Sequence, residues 1–277
     1  GFKDSNSILI RLHPILNVLR LLALSSLIIA MARPRTVDIS NQTKTTRGID
    51  IVIAMDVSGS MLAKDLKPNR MEALKRVAAD FVEQRPNDRI GLVEYAGESY
   101  TKTPITSDKS IVLRALEDIK YNTIIEGGTA IGMGLATAIN RLRESEAPSK
   151  VIILLTDGVN THGKIHPLNA TEIAKEFNIR VYTIGVGTNG KAKTPVAIDP
   201  FTGKYIYDFV DVEIDESTLK SIALQTGGKY FRATSNSKLE EIYKEIDALE
   251  KSKIDVHEFS RKSEEFLPFA LLGALFL

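Results

Sequence analysis

The sequence predicts a doubly wound α/β domain with a mainly parallel sheet and one antiparallel edge strand, flanked by transmembrane helices. Between residue 48 and about residue 250, short apolar runs of strand character alternate with amphipathic stretches at helical spacing. Two of the runs, GIDIVIAMD and KVIILLTD, are continuously apolar and close on an aspartate, the pattern of strands covered on both faces. Apolar segments stand at both ends, in residues 15–32 and 264–277.

Residues 1–14 are an N-terminal flank. The run ILNVLRLLALSSLIIAMA, residues 15–32, is read as a transmembrane helix. At ~1.5 Å per residue it covers roughly 27 Å, close to a hydrocarbon core. Arg20 can snorkel to the headgroups, and Arg33 and Arg35 mark the far boundary. A secretory signal and a buried core helix are the competing readings. Residues 33–47 form a linker and residues 48–250 the domain.

Within the domain GIDIVIAMD is the first strand, and Pro68 and Asn69 introduce a helix with Leu74, Val77, Ala78, Phe81 and Val82 on its apolar face. RIGLVEY and SYTKTPI are separated by too short a gap for a crossover helix, so they form the antiparallel edge pair, where Pro104 is tolerated. Asp108 caps a helix running to Asp118. Ile131, Leu135, Ala138, Ile139 and Leu142 give the next helix its buried stripe. KVIILLTD, a helix near 168–177 and IRVYTIGVG follow. The polar segment from Thr188 to about Asp208 reads as a hairpin or a mobile loop. A helix closed by Gly227 and Gly228, the strand KYFRA and the helix SKLEEIYKEIDALE complete the domain. Residues 251–263 are a second linker. Residues 264–277 read as the start of a truncated transmembrane helix, so both ends are expected to be cut short.

Composition narrows the function. A net charge of +1, with no basic-aromatic cluster, gives no reason to expect nucleic acid as a partner. The absence of cysteine excludes disulfides, thiolate catalysis and zinc-thiolate sites. Ligands of doubly wound sheets bind beyond the carboxyl ends of the strands, where the strand order reverses. Three polar loops are expected at that edge: DVSGS (56–60), EGGTAIG (126–132) and TDG (156–158). Asp56, Ser58, Ser60, Thr129 and Asp157 supply hard oxygens, which suit Mg²⁺, Mn²⁺ or Ca²⁺. A divalent cation would also relieve repulsion between the two aspartates.

The pattern D-x-S-x-S, a threonine about 70 residues on, and an aspartate ending an apolar strand resembles the metal-ion-dependent adhesion site of von Willebrand factor A (VWA) domains. All five positions match. The resemblance implies that Ser58, Ser60 and Thr129 contact the metal more directly, that the aspartates act mostly through water, and that a partner protein supplies a carboxylate. Longer stretches, among them MARP, GIDIVIAMDVSGSMLAKDLKPNRMEALK, GGTAIGMGLATAI and LLTDGVNTHG, are similar to the membrane-anchored VWA proteins of bacterial aerotolerance (BatA-like) operons. That likeness implies an integral protein of the bacterial cytoplasmic (inner) membrane, non-enzymatic, working with a MoxR-type AAA+ ATPase and sister VWA proteins. Basic residues flanking the domain (Arg33, Arg35, Lys44, Arg47, Lys251, Lys253, Arg261, Lys262) favour the cytoplasmic side, but the rule weakens for domains longer than ~60 residues, so the periplasmic side stays open.

Other readings compete for the same residues. DVSGS alone is compatible with an Asx or Ser turn. An aspartyl-phosphate hydrolase needs a second acid where Ser58 stands. A serine hydrolase would group Ser58, His162 and Asp157, but Ser58 lies outside a G-x-S-x-G elbow, and His162 and His166 read as exposed loop residues. GGTAIGMG lacks the Gly-Lys-Ser/Thr of a phosphate loop. Its Gly127 and Gly128 are expected to let the backbone approach the metal, and Gly132 and Gly134 to let a helix pack closely on the sheet. A membrane scaffold with a purely fold-stabilising metal is the remaining alternative. Glu126 and Asp65 are expected to shape a negative rim, and Lys191, Lys193 and Lys204 mark either a basic contact surface or a solvated loop.

Overall fold

The computed structural model describes residues 7–33, 35–37, 48–121, 127–188, 190–212, 214–254, 262–264 and 266–276. The chain opens with α1 (Ser7–Met31) and β1 (Arg35–Val37). The domain follows with β2 (Asp50–Asp56), α2 (Arg70–Glu83), β3 (Arg89–Tyr95), β4 (Ser99–Thr106), α3 (Lys109–Glu117) and α4 (Ile131–Leu142). It continues through β5 (Lys150–Thr156), α5 (Pro167–Glu176), β6 (Ile179–Val186), β7 (Gly190–Ile198), β8 (Tyr205–Val212), α6 (Glu216–Gln225), β9 (Tyr230–Ala233) and α7 (Asn236–Ile254). β10 (Lys262–Glu264) and α8 (Leu267–Phe276) close the described chain.

Six strands form one sheet in the order β4-β3-β2-β5-β6-β9, parallel except for the antiparallel β3–β4 pair. Alternation along β2 explains its two-sided burial. Ile51, Ile53 and Met55 meet α2, α3 and α7 through Leu74, Phe81, Leu116 and Ile242. Val52 and Ala54 face α4, α5 and α6 through Leu135, Ala138, Ala174 and Leu219. Each large side chain so buried contributes about 1.5–3 kcal/mol before chain entropy is charged against it. Asn69 caps α2 by accepting the Glu72 N–H at 2.8 Å, and Asp108 caps α3 through the Ser110 N–H. Pro104 falls in the irregular register between Thr103 and Thr106 of the edge strand, where no ladder bond is demanded of it.

The segment from Thr188 is a hairpin, β7 paired antiparallel with β8 as far as Val212, beyond the end expected at Asp208. It exposes Phe201, Phe209, Val196, Ile198 and Ile206 to solvent, along with Lys191, Lys193 and Lys204, so its surface is mixed apolar and basic. Gly134 behaves as expected, its α-carbon packed on the Tyr95 ring. Gly132 instead makes room for the Ile165 carbonyl, in the loop before α5 rather than the sheet.

Residues 1–45 and 257–277 form a separate unit. There α1 packs on α8, with Gly273 beside Leu27 and the Ala23 carbonyl, and β1 pairs antiparallel with β10. Ile15, Val18, Leu21, Leu24, Ile28, Leu271 and Leu275 remain exposed on these helices. Among the described residues, no helix is long and apolar enough to cross a membrane, so the spanning helix expected at 15–32 is not met on that measure.

The Gly134 contact supports the floor of the carboxyl edge, because Tyr95 is fully buried and donates its hydroxyl to the Leu155 carbonyl at 2.8 Å. A methyl at Gly134 would lie 2.5 Å from the Tyr95 ring. Gly134→Ala should therefore destabilise the domain by about 1–3 kcal/mol, read as a lower urea midpoint. An unchanged midpoint would show that Tyr95 has room to yield.

Candidate metal centre

From β2 the chain steps outward to β3 and β4, then returns to place β5 on the other side of β2. The strand order therefore reverses between β2 and β5, and a crevice opens beyond their carboxyl ends. Asp56 is the last residue of β2, and Asp157 follows the last residue of β5. Both are buried. Asp56 Oδ1 accepts the Ser58 N–H at 2.9 Å, and its Oδ2 accepts the Thr156 hydroxyl at 2.8 Å. Beyond it the chain turns into a short 3-10 segment, Gly59–Leu62, which carries Ser60 back over the strand end. The hydroxyls of Ser58 and Ser60 lie 3.0 Å apart, and Ser60 donates to Asp157 Oδ1 at 2.8 Å. Four of the five expected residues thus form one hydrogen-bonded run.

Thr129 lies alongside. Its N–H donates to the Thr161 hydroxyl at 3.0 Å, and its carbonyl accepts the Thr161 and His162 N–H groups. The neighbouring Ala130 N–H is fixed to the Ala96 carbonyl at the end of β3. The Thr129 hydroxyl comes within 3.7 Å of the position a Cβ would take on Gly158, which puts it against the TDG loop. Gly128, at φ +109°, is needed because a side chain there would run into His162. His162 Nδ1 pairs with Thr161 Oγ1 and His166 caps α5, so neither completes the Ser58–His162–Asp157 grouping. Glu126 lies outside the described residues. Asp65 is no open rim carboxylate: its oxygens accept the Arg70 guanidinium at 2.7 and 2.6 Å.

The von Willebrand factor type A domain model matches residues 50–245. The chain belongs to the VWA family. A protein of Borreliella burgdorferi is 33% identical over 211 residues, covering 76% of this chain and 61% of its own length. The chain thus spans less than two thirds of that relative. A crystal structure of BatB from Bacteroides thetaiotaomicron is 34% identical with a TM-score of 0.62, covering 74% of this chain and all (100%) of the other. An aerotolerance-related membrane protein from Bacteroides fragilis is 32% identical with a TM-score of 0.60, covering 73% and 100% respectively.

The VWA crevice holds a residue the sequence reading missed. Arg70, the first residue of α2, is fully buried and donates from Nη1 to Asp157 Oδ2 at 2.6 Å while its Nε and Nη2 grip Asp65. A signal was available: a cation at a helix N-terminus opposes the helix dipole, so it implies a compensating carboxylate. Thr156 was also missed, though a hydroxyl at the end of a buried apolar run needs a partner.

Electrostatically the site is short of positive charge. Burial, then the Asp157 charge, pushes the Asp56 carboxyl up to about 7 against its bonds from Ser58 and Thr156. Burial also raises Asp157, opposed chiefly by Arg70. Asp56, Asp157, Asp65 and Arg70 together carry a formal −2 when ionised. Among the described residues no three histidine, cysteine or carboxylate side chains gather as a ligand set. The donors are instead two carboxylates and neighbouring hydroxyls, hard oxygens whose charge deficit a divalent cation cancels, so the residues fit such an ion.

The raised Asp56 carboxyl sets a pH dependence for the domain kept in chelator. The unfolded chain releases this proton near pH 3.8, the folded chain near 7. Folding is thus favoured below the lower value, and that advantage is lost as pH rises to the upper one. An Asp56→Asn variant does not titrate there, so its stability relative to wild type should climb between pH 4 and 7 by up to about 1.4 kcal/mol per unit, then level off. Parallel urea titrations across that range test it; a constant difference would place the Asp56 carboxyl in its ordinary range.

Proposed function

We propose that the protein is a membrane-associated VWA module that captures a partner protein through a divalent cation, Mg²⁺ or else Mn²⁺ or Ca²⁺, held by Asp56, Ser58, Ser60, Thr129 and Asp157. The observation that carries this reading is the continuous run Asp56–Ser58–Ser60–Asp157 at the reversal of strand order. A cation bound there supplies an electrophilic coordination position for a partner's carboxylate. The chain's own residues do the rest. Asp56 is oriented by Ser58 and Thr156, Asp157 by Ser60 and Arg70, and the Thr129 main chain is fixed by Thr161. The surrounding apolar floor, with Tyr95 beneath, keeps water from loosening these bonds.

The role is recognition rather than catalysis, since the serines bond to each other and to Asp157, and His162 is engaged by Thr161. Likeness to BatB and to an aerotolerance-related membrane protein supports a place in a complex of the bacterial cytoplasmic membrane. The partners in that complex are a MoxR-type AAA+ ATPase and sister VWA proteins. Residues 15–32 and 264–277 are its membrane anchors, and residues 33–47 and 251–263 the linkers to the domain at 48–250. The apolar side chains exposed on α1 and α8 support that assignment.

The full chain, immobilised in detergent and exposed to solubilised membranes and cytosol, should retain a partner in Mg²⁺ and release it in chelator. Ser60→Ala should weaken Mn²⁺ binding at least about tenfold, by analogy with lost metal-site contacts, and should abolish capture while leaving the circular dichroism spectrum unchanged. Capture indifferent to chelator, or a domain that unfolds when chelated, would reassign the cluster to a fold-stabilising role.

A further inference from the structure

Arg70 sits between the proposed cation site and the hairpin. Its guanidinium uses Nη1 for Asp157 Oδ2, and Nε with Nη2 for both oxygens of Asp65. Asp65 Oδ2 then accepts the Thr188 N–H at 2.9 Å and its hydroxyl at 3.3 Å, immediately before β7. The same root is held by the Lys64 N–H on the Lys193 carbonyl at 3.0 Å, with the Lys64 ammonium over the Tyr207 ring of β8. Gly187, at φ +113°, leaves the guanidinium the space it occupies, since a Cβ there would lie 2.4 Å from Nη2.

This arrangement divides the two oxygens of Asp157. Arg70 holds Oδ2, so Oδ1 is turned toward Ser60 and the proposed ligands. A lysine would bring the same charge but only a point contact, whereas the planar fork fixes both carboxylates at once. We propose that Arg70 and Asp65 are positioning residues of the cation site, and that the relay Asp157–Arg70–Asp65–Thr188 couples its occupancy to the seating of the β7–β8 hairpin. The inference rests on the reading of the five residues as a cation site. A divalent charge bound beside Asp157 would weaken that carboxylate's hold on the guanidinium and leave Arg70 resting more on Asp65, the residue that also holds Thr188. The hairpin carries Phe201, Phe209 and Ile206 in the open, so the relay governs how that surface is presented.

The test uses the full chain in detergent, Mn²⁺ as the probe, calorimetry for affinity and hydrogen–deuterium exchange across 190–212. In wild type, Mn²⁺ should slow exchange at the hairpin root. Arg70→Lys should weaken Mn²⁺ binding about tenfold, the scale for loss of a metal site's supporting contact, and should erase most of the Mn²⁺-dependent change in exchange. Asp65→Asn should weaken binding less and erase the same change. A merely structural role would raise exchange equally with and without Mn²⁺. Should Arg70→Lys fail to fold, Asp65→Asn decides alone. Wild-type Mn²⁺ binding with hairpin exchange indifferent to the ion, or with both variants matching wild type, overturns this inference and leaves the cation site standing. A wild-type chain that binds no Mn²⁺ removes both.

Discussion

Two carboxylates delivered side by side into a buried crevice are the constraint around which the domain is arranged. β2 and β5 are adjacent, parallel and in register, so Asp56 comes level with the end of β5 at Thr156 and Asp157 follows one residue beyond, beside it. Like charges held this way, away from water, are costly unless neutralised. Each feature of the carboxyl edge answers that cost. Thr156 and the Ser58 N–H bond Asp56, and Ser60 and the Arg70 guanidinium bond Asp157. Even so burial, and after it the charge of Asp157, keeps the Asp56 carboxyl raised.

Much of this was legible in the sequence because its signals were strong and local. The aspartates close uninterrupted apolar runs, and such runs admit few placements other than the middle of a covered sheet. Asn69 and Asp108 announce their helices by capping chemistry that depends only on the next three residues. The hairpin was harder. Its residues mix Lys, Thr, Tyr and Asp with apolar side chains, and neither face is buried throughout, so periodicity alone did not separate it from a loop. Arg70 was harder still, because its partners are Asp65, nearby in sequence, and Asp157, which only the sheet topology brings to it. At the amino end, the apolar run delimits only part of α1, which starts at Ser7 and continues through Pro14.

The opposite edge of the sheet is also polar, but its chemistry differs. Asp50 pairs with Arg89 and accepts the Ser145 hydroxyl, while Glu250 gathers Arg180, Tyr182 and Ser149. These are charges matched one to one and satisfied within the protein, and Glu250 stays below the ordinary carboxylate range through bonds from Tyr182 and Arg180 that outweigh its burial. One end of the sheet is thus electrically closed and the other open to a further charge. That asymmetry distinguishes a structural ion-pair network from a ligand crevice within the same fold.

The chain enters β2 beside that closed edge, and Glu250 of α7 is fastened there as well. A load applied at Asp56 and resisted at Gly48 therefore runs along the axis of β2. The strand is central and bonded over its length to β3 on one side and β5 on the other. Tension between those two points is carried by the covalent backbone of β2, while the ladders to β3 and β5 keep the strand in place. The topology that gathers the carboxylates also makes their strand the one best placed to bear tension.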